Sequence, residues 1–154
     1  MEILFITATK TEWWAFKDEI EILSTEHKCY LTSSLSEAHK ILQNGIDKVV
    51  IYPFNIGYAD YTINMDKDPQ TFAGYYFWEQ ELAIKQIPTI VVDFEIQLSS
   101  FMDKIIEVDW ESGLKVTFFH RYVRCVKRGG LRYEERNKQG LIKLILKNQK
   151  QGIP

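Results

Sequence analysis

Carboxylates at the end of an apolar run are the residues best placed for chemistry. In "IPTIVVDFE", Asp93 and Glu95 stand just past a buried-looking strand, and two positions apart on an extended chain they share a face. With Asp60 or Asp66 from the polar stretch "PFNIGYADYTINMDKD", they could assemble oxygen ligands for a divalent cation or an atypical metal-dependent reaction. Ordinary solvation of a strand end accounts for the same residues, and no lysine follows at the spacing of a metal-dependent nuclease. His27, His39 and His120 are scattered, with no Cys or His to complete a metal spacing. Ser33, Ser34 and Ser36 precede a helical pattern and read as caps, and no glycine-flanked nucleophile elbow is present. Cys29 and Cys125 read as free thiols. No catalytic residue is assigned, and no cofactor or resident metal is expected.

Two other groups of residues point to partners. Residues 1–112 hold 8 Lys or Arg against 19 Asp or Glu, whereas residues 113–154 hold 11 against 2. The basic portion either packs across acidic helices of its own domain or of a neighbouring subunit, or offers a patch to a polyanion. Within it, Arg121, Arg124, Lys127, Arg128, Arg132 and Arg136 could meet phosphates, and Tyr122 and Tyr133 could stack on bases. The aromatic group Phe72, Tyr75, Tyr76 and Trp78, with Trp13 and Trp14 near the start, suits either internal packing or an interface with a protein partner or second copy.

The elements that position these residues follow from period and punctuation. The chain has 154 residues, 45% of them hydrophobic and 26% charged, which suits one globular domain over residues 1–154. No run reaches 18 apolar residues and no basic region precedes the first apolar one, so a cytoplasmic, non-membrane protein is expected. "EILFITAT", "HKCYLTS", "DKVVIY" and "IPTIVVDFE" read as strands, the first with a continuously apolar run expected of a strand covered on both faces. Helical spacing places Trp13, Phe16, Ile20 and Leu23 on one face, with Thr11 as cap. Leu35, Ala38 and Leu42 mark a second helix, capped by Ser34 or Ser36 and stopped by Gly45. Asp68-Pro69 opens a third helix through "QTFAGYYFWEQELAIKQ". After residue 95, "VDWESGLKVTFF" reads as two strands about Ser112-Gly113 or as a linker and one strand. "CVKRGG" breaks the pattern, and a last helix lies near "EERNKQGLIKLILKNQ", with Gly140 weakening its middle. Interleaved strands and helices imply a three-layer α/β fold: an open, mainly parallel sheet with helices on both faces and an atypical C-terminal region. Ligands of such sheets collect at the carboxyl ends of the strands.

At this point "SLSEAHKILQNGIDKVVIYP", with "EILFITA" before it and "IPTIVVD" after, resembles response-regulator receiver domains over about residues 2–95. The resemblance implies a strand order of 2-1-3-4-5 and phosphorylation of an aspartate ending the third strand. Asp47 matches the acidic residue that opens that strand, but the acceptor position holds Tyr52. The magnesium-binding acidic pair falls at Thr7 and Ala8, and the Thr or Ser ending the fourth strand falls at Asp93. Thr7, Ala8, Tyr52 and Asp93 would thus form a degenerate pocket, because phosphoryl transfer to a carboxylate needs that nucleophile, a metal held by oxygens and a cation across the pocket. The expected role is non-enzymatic regulation or assembly through protein contact, without aspartyl phosphorylation. The alternatives are a nucleic-acid-binding regulator using the basic segment, and a metal-dependent enzyme centred on Asp93 and loop carboxylates. The opening "MEILFITATKTE" also resembles the start of nucleoside-cleaving hydrolases, with no continuation of their substrate site.

Overall fold

The computed structural model describes residues 1–7, 9–52, 77–93, 106–109, 115–120, 122–127, 130–135 and 139–147. Four strands, β1 (Glu2–Thr7), β2 (Lys28–Thr32), β3 (Lys48–Tyr52) and β4 (Thr89–Asp93), lie parallel in the order β2-β1-β3-β4. The sheet then continues through β6 (Lys115–His120), parallel to β4, to β5 (Ile106–Asp109), which is antiparallel at the edge. The order 2-1-3-4-5 therefore holds over its first four strands and not beyond them. The strand beside β4 is the sixth along the chain, because "VDWESGLKVTFF" makes two strands and the second of them takes the central place.

Pleating sends alternate residues of β1 to opposite layers. Leu4 and Ile6 join Val49, Ile51 and Val91 under α2 (Leu35–Leu42) and a π-helical segment (Trp78–Leu82). Ile3 and Phe5 join Val50, Ile90 and Val92 on the other face, against Phe16 and Leu23 and against Leu141 and Ile145 of α3 (Gly140–Leu146). Phe5 and Phe16 meet with ring centroids 5.1 Å apart. A strand covered on both faces is apolar along its middle, which explains the unbroken run Ile3 to Ile6 of β1.

The first helical stretch departs from its expected geometry. It begins as a 3-10 helix (Lys10–Phe16) and continues as α1 (Lys17–Leu23). Thr9 precedes it as the cap, not Thr11, and its backbone N–H donates to a Glu12 carboxylate oxygen at 2.9 Å. Residues three apart in a 3-10 helix lie on the same side, so Trp13 and Phe16 stay on the expected face. Phe16 and Leu23 are buried, Trp13 and Ile20 are half-buried and Trp14 is exposed. The second helix conforms: Ser34 Oγ accepts from Glu37 N–H at 3.0 Å, and Gly45 turns left-handed at φ 84°.

Most of the third expected helix lies outside the described residues. Its end is the π-helical segment, whose wider turn is seen in the Ala83 N–H donating to the Trp78 carbonyl at 2.8 Å. Gln86, at φ 58°, ends it in the conformation usually left to glycine.

The largest departure is C-terminal. "CVKRGG" does not break the structure; it ends β7 (Tyr122–Lys127) and opens β8 (Gly130–Glu135), which pair antiparallel as a separate two-stranded sheet. Residues through Glu135 are thereby committed to strand, so α3 starts at Gly140 instead of carrying that glycine in its middle.

Candidate functional site

Three places bring potentially functional residues together: the two edges of the sheet and a groove beside β2. At the carboxyl edge, Thr7 and Tyr52 are register partners on β1 and β3, and Asp93 and His120 are register partners on β4 and β6. Thr7 is buried, and its hydroxyl donates to the Thr9 carbonyl at 2.9 Å. Tyr52 is half-buried and packs against the layer formed by α1 and α3. The structure therefore brings Thr7 and Tyr52 together. Asp93 is placed as a backbone position ending β4, while Ala8, Asp60, Asp66 and Glu95 lie outside the described residues. His120, read from sequence as one of three scattered histidines, shares this edge; its position as the last residue of an alternating strand was the available signal.

At the amino edge the charged residues are engaged in structure. Asp47 accepts the Glu2 backbone N–H on its carboxylate at 2.7 Å and donates its own N–H to the Glu2 carbonyl at 2.9 Å, tying the starts of β1 and β3. Tyr30 donates to Glu2 at 2.8 Å, and the Lys28 ammonium lies 5.2 Å from the Tyr30 ring. That hydrogen-bonded tyrosine, with Glu2, raises the pKa of Lys28.

Lys48 is the residue that sequence reasoning missed. It is fully buried, and its ammonium donates to the Ile145 carbonyl at 2.6 Å, to Lys147 at 3.3 Å and to Leu144 at 3.4 Å. These are carbonyls at the end of α3, which lack helical donors and carry the negative end of the helix dipole. Burial, with Lys147 nearby, pushes the Lys48 pKa down to about 8. The signal was a lysine opening the buried run "DKVVIY", where only a paired cation is tolerated.

The groove is formed where the 3-10 helix and α1 pass β2, the edge strand. Trp13, Trp14, Ile20 and Leu31 supply its apolar lining, with Lys17 and Glu21 as its charges, around a volume of about 350 Å³. Trp14 is 59% exposed. Lys10 lies 5.9 Å from the Trp13 ring centroid.

Trp78, expected to share an interface role, is only 1% exposed and belongs to the core under α2. This is a correction: the π-helical turn carries its ring inward together with Leu82. Phe72, Tyr75 and Tyr76 lie outside the described residues. Of the basic residues, Arg124 and Lys127 are in β7 and Arg132 is in β8, whereas Arg121, Arg128 and Arg136 lie outside the described residues.

His39, on α2, pairs with Glu81 of the π-helical segment at 2.9 Å. The partly buried Cys29 thiol has its pKa raised by burial, which disfavours the reactive thiolate. Among the described residues no group of three or more His, Cys, Asp or Glu could hold a metal ion, and no helix is long and apolar enough to cross a membrane. The chain matches no protein-family profile, no curated protein and no solved structure.

Proposed function

We propose that this chain is a receiver-like domain that works by protein contact rather than by phosphoryl transfer, and that its partner surface is the Trp13–Trp14 groove, occupied by a second copy. The parallel order β2-β1-β3-β4 supports the receiver-like scaffold. Thr7 and Tyr52 face each other where that scaffold would need a metal-binding carboxylate and an acceptor carboxylate. A neutral hydroxyl and a phenol supply neither the charge nor the acyl phosphate that the reaction requires.

The observation that carries the contact reading is Trp14, 59% exposed beside an apolar groove on an edge strand. Large aromatic rings at a groove are typical anchors of protein interfaces. The groove also carries one cation, Lys17, and one anion, Glu21, four residues apart on α1. A surface with one charge of each sign is complementary to itself across a twofold axis, Lys17 of each copy meeting Glu21 of the other.

The test is light scattering over a concentration series. The chain should approach twice its monomer mass, and Trp14→Ala should shift the equilibrium toward monomer by at least about tenfold in Kd, the scale of an aromatic anchor. A monomer at every concentration, or a dimer indifferent to Trp14→Ala, would overturn the proposal. Incubation with magnesium and a small phosphoryl donor should leave the chain's mass unchanged; a phosphoryl group on a carboxylate at the carboxyl edge would contradict the other half of it.

A further inference from the structure

The hydrogen bonds of β2 leave part of its backbone facing outward. The Lys28 N–H donates to the Met1 carbonyl at 3.0 Å, so Lys28 turns its N–H and C=O toward β1. Backbone groups alternate from side to side along a strand, so Tyr30 and Thr32 do the same, while Cys29 and Leu31 turn theirs away from the sheet. β2 ends the strand order, and among the described residues no hydrogen bond meets the outward groups of Cys29 and Leu31.

Such an edge is a template for another strand, and proteins commonly guard it with charge. The two edge strands differ in that respect. β5, with the sequence IEVD, carries two carboxylates in its four residues, whereas β2, KCYLT, carries a single charge at its first residue, Lys28. The middle of β2, Cys29 to Leu31, is uncharged, and Leu31 also lines the Trp13–Trp14 groove. An open backbone edge and an apolar groove are therefore contiguous.

We propose that β2 pairs antiparallel with β2 of a second copy, joining the two sheets into one across the twofold axis. This rests on the reading of a second copy in the groove and specifies the backbone contact that holds it. The register follows from the strand itself. Pairing all five residues sets Tyr30 opposite itself, Cys29 opposite Leu31 and Lys28 opposite Thr32. Cys29 and Leu31 then exchange both their hydrogen bonds across the interface, and no like charges stand face to face. Cys29 and Leu31 pack on the sheet face that carries Phe16 and Leu23. A twofold axis perpendicular to the sheet keeps that face common to both copies, so the two Trp14 grooves meet on one side of the joined sheet.

Amide hydrogen exchange, read residue by residue by NMR in dilute and concentrated solution alongside light scattering, tests it. The Lys28, Tyr30 and Thr32 amides, turned toward β1, should exchange slowly at both concentrations. The Cys29 and Leu31 amides should exchange freely in the dilute monomer and at least about tenfold more slowly in the dimer. With Cys29→Ser and Cys125→Ser as background, Tyr30→Cys should give a disulfide-linked dimer under mild oxidation. Residues opposite each other at a non-hydrogen-bonded position have Cα atoms about 4.5 Å apart, within disulfide reach. Lys28→Cys in the same background should not cross-link, because its equivalent lies at the far end of the pair. A dimer whose Cys29 and Leu31 amides exchange as fast as in the monomer would overturn the edge pairing and leave the groove contact standing. A monomer at every concentration would overturn both. Cross-linking by Lys28→Cys equal to that by Tyr30→Cys would overturn the register and the pairing built on it.

Discussion

The two edges of the sheet carry different kinds of polar residue: charges at the amino edge, and Thr7, Tyr52, Asp93 and His120 at the strand ends of the carboxyl edge. At the amino edge, Asp47 and Lys48 are engaged with backbone groups of other elements, and Lys28 lies over the ring of Tyr30 in its own strand. At the carboxyl edge, Thr7, Tyr52, Asp93 and His120 end their strands side by side, and the arginine-bearing ribbon departs from the last of them. Charge at the first edge ties neighbouring elements together, whereas the second edge gathers polar residues where the parallel strands end. A charged residue is therefore a weak guide to function until its partners are known. Lys48 would look like a candidate for chemistry by burial and lowered pKa alone, but its three carbonyl partners identify it as the clamp on α3.

That contrast can be broken in order of expected effect. Trp78→Ala removes a ring from the core beneath α2 and should cost about 3–5 kcal/mol in chemical denaturation. At concentrations where the chain is monomeric, Trp14→Ala should change stability by less than about 0.5 kcal/mol, because its ring is mostly in solvent there. Equal effects of the two substitutions would contradict the assignment of one tryptophan to the core and the other to a contact surface.

Lys48→Ala should cost about 3 kcal/mol, since it opens a cavity and leaves the carbonyls of α3 without their donor. Lys48→Met should cost less and also reports on pH. The folded pKa, about 8, lies below the ordinary value of 10.5, so the unfolded chain binds the proton more tightly. The stabilising contribution of this linkage is complete above pH 10.5 and is lost as pH falls through about 8. Parent stability measured against Lys48→Met should therefore rise between pH 8 and pH 10; a flat difference would place the Lys48 ammonium in water rather than in the clamp.

The smallest effects concern two chain reversals of the same conformation. Gly45→Ala should cost about 1 kcal/mol from the left-handed backbone alone, since nothing lies within 4 Å of the added methyl. Gln86→Gly should gain up to about 1 kcal/mol, because Gln86 holds φ 58° with a side chain that disfavours it. Thermal melts of the pair should move in opposite directions.

Much of the sheet was legible from sequence because buried parallel strands leave an unbroken apolar signature. Gly45 announced its place through turn chemistry, and cap chemistry narrowed the start of α2 to Ser34 or Ser36, of which Ser34 is the cap. The ribbon was not legible: its glycine pair looked like a break, and its basic residues obscured the alternation in "YVRCVK". Nor could residue type distinguish Trp14 from Trp78. Their fates depend on what packs around them: Trp14 lies exposed on the 3-10 helix, whereas Trp78 is enclosed by the core cluster under α2.

The self-complementary groove is tested most directly by charge exchange at Lys17 and Glu21, read by light scattering. Lys17→Glu and Glu21→Lys should each weaken association when alone, since every copy then carries two like charges at the contact. Mixed in equal amounts, the two variants should associate at parent affinity or better. Loss of association that mixing does not restore would contradict a second copy as the occupant of the groove.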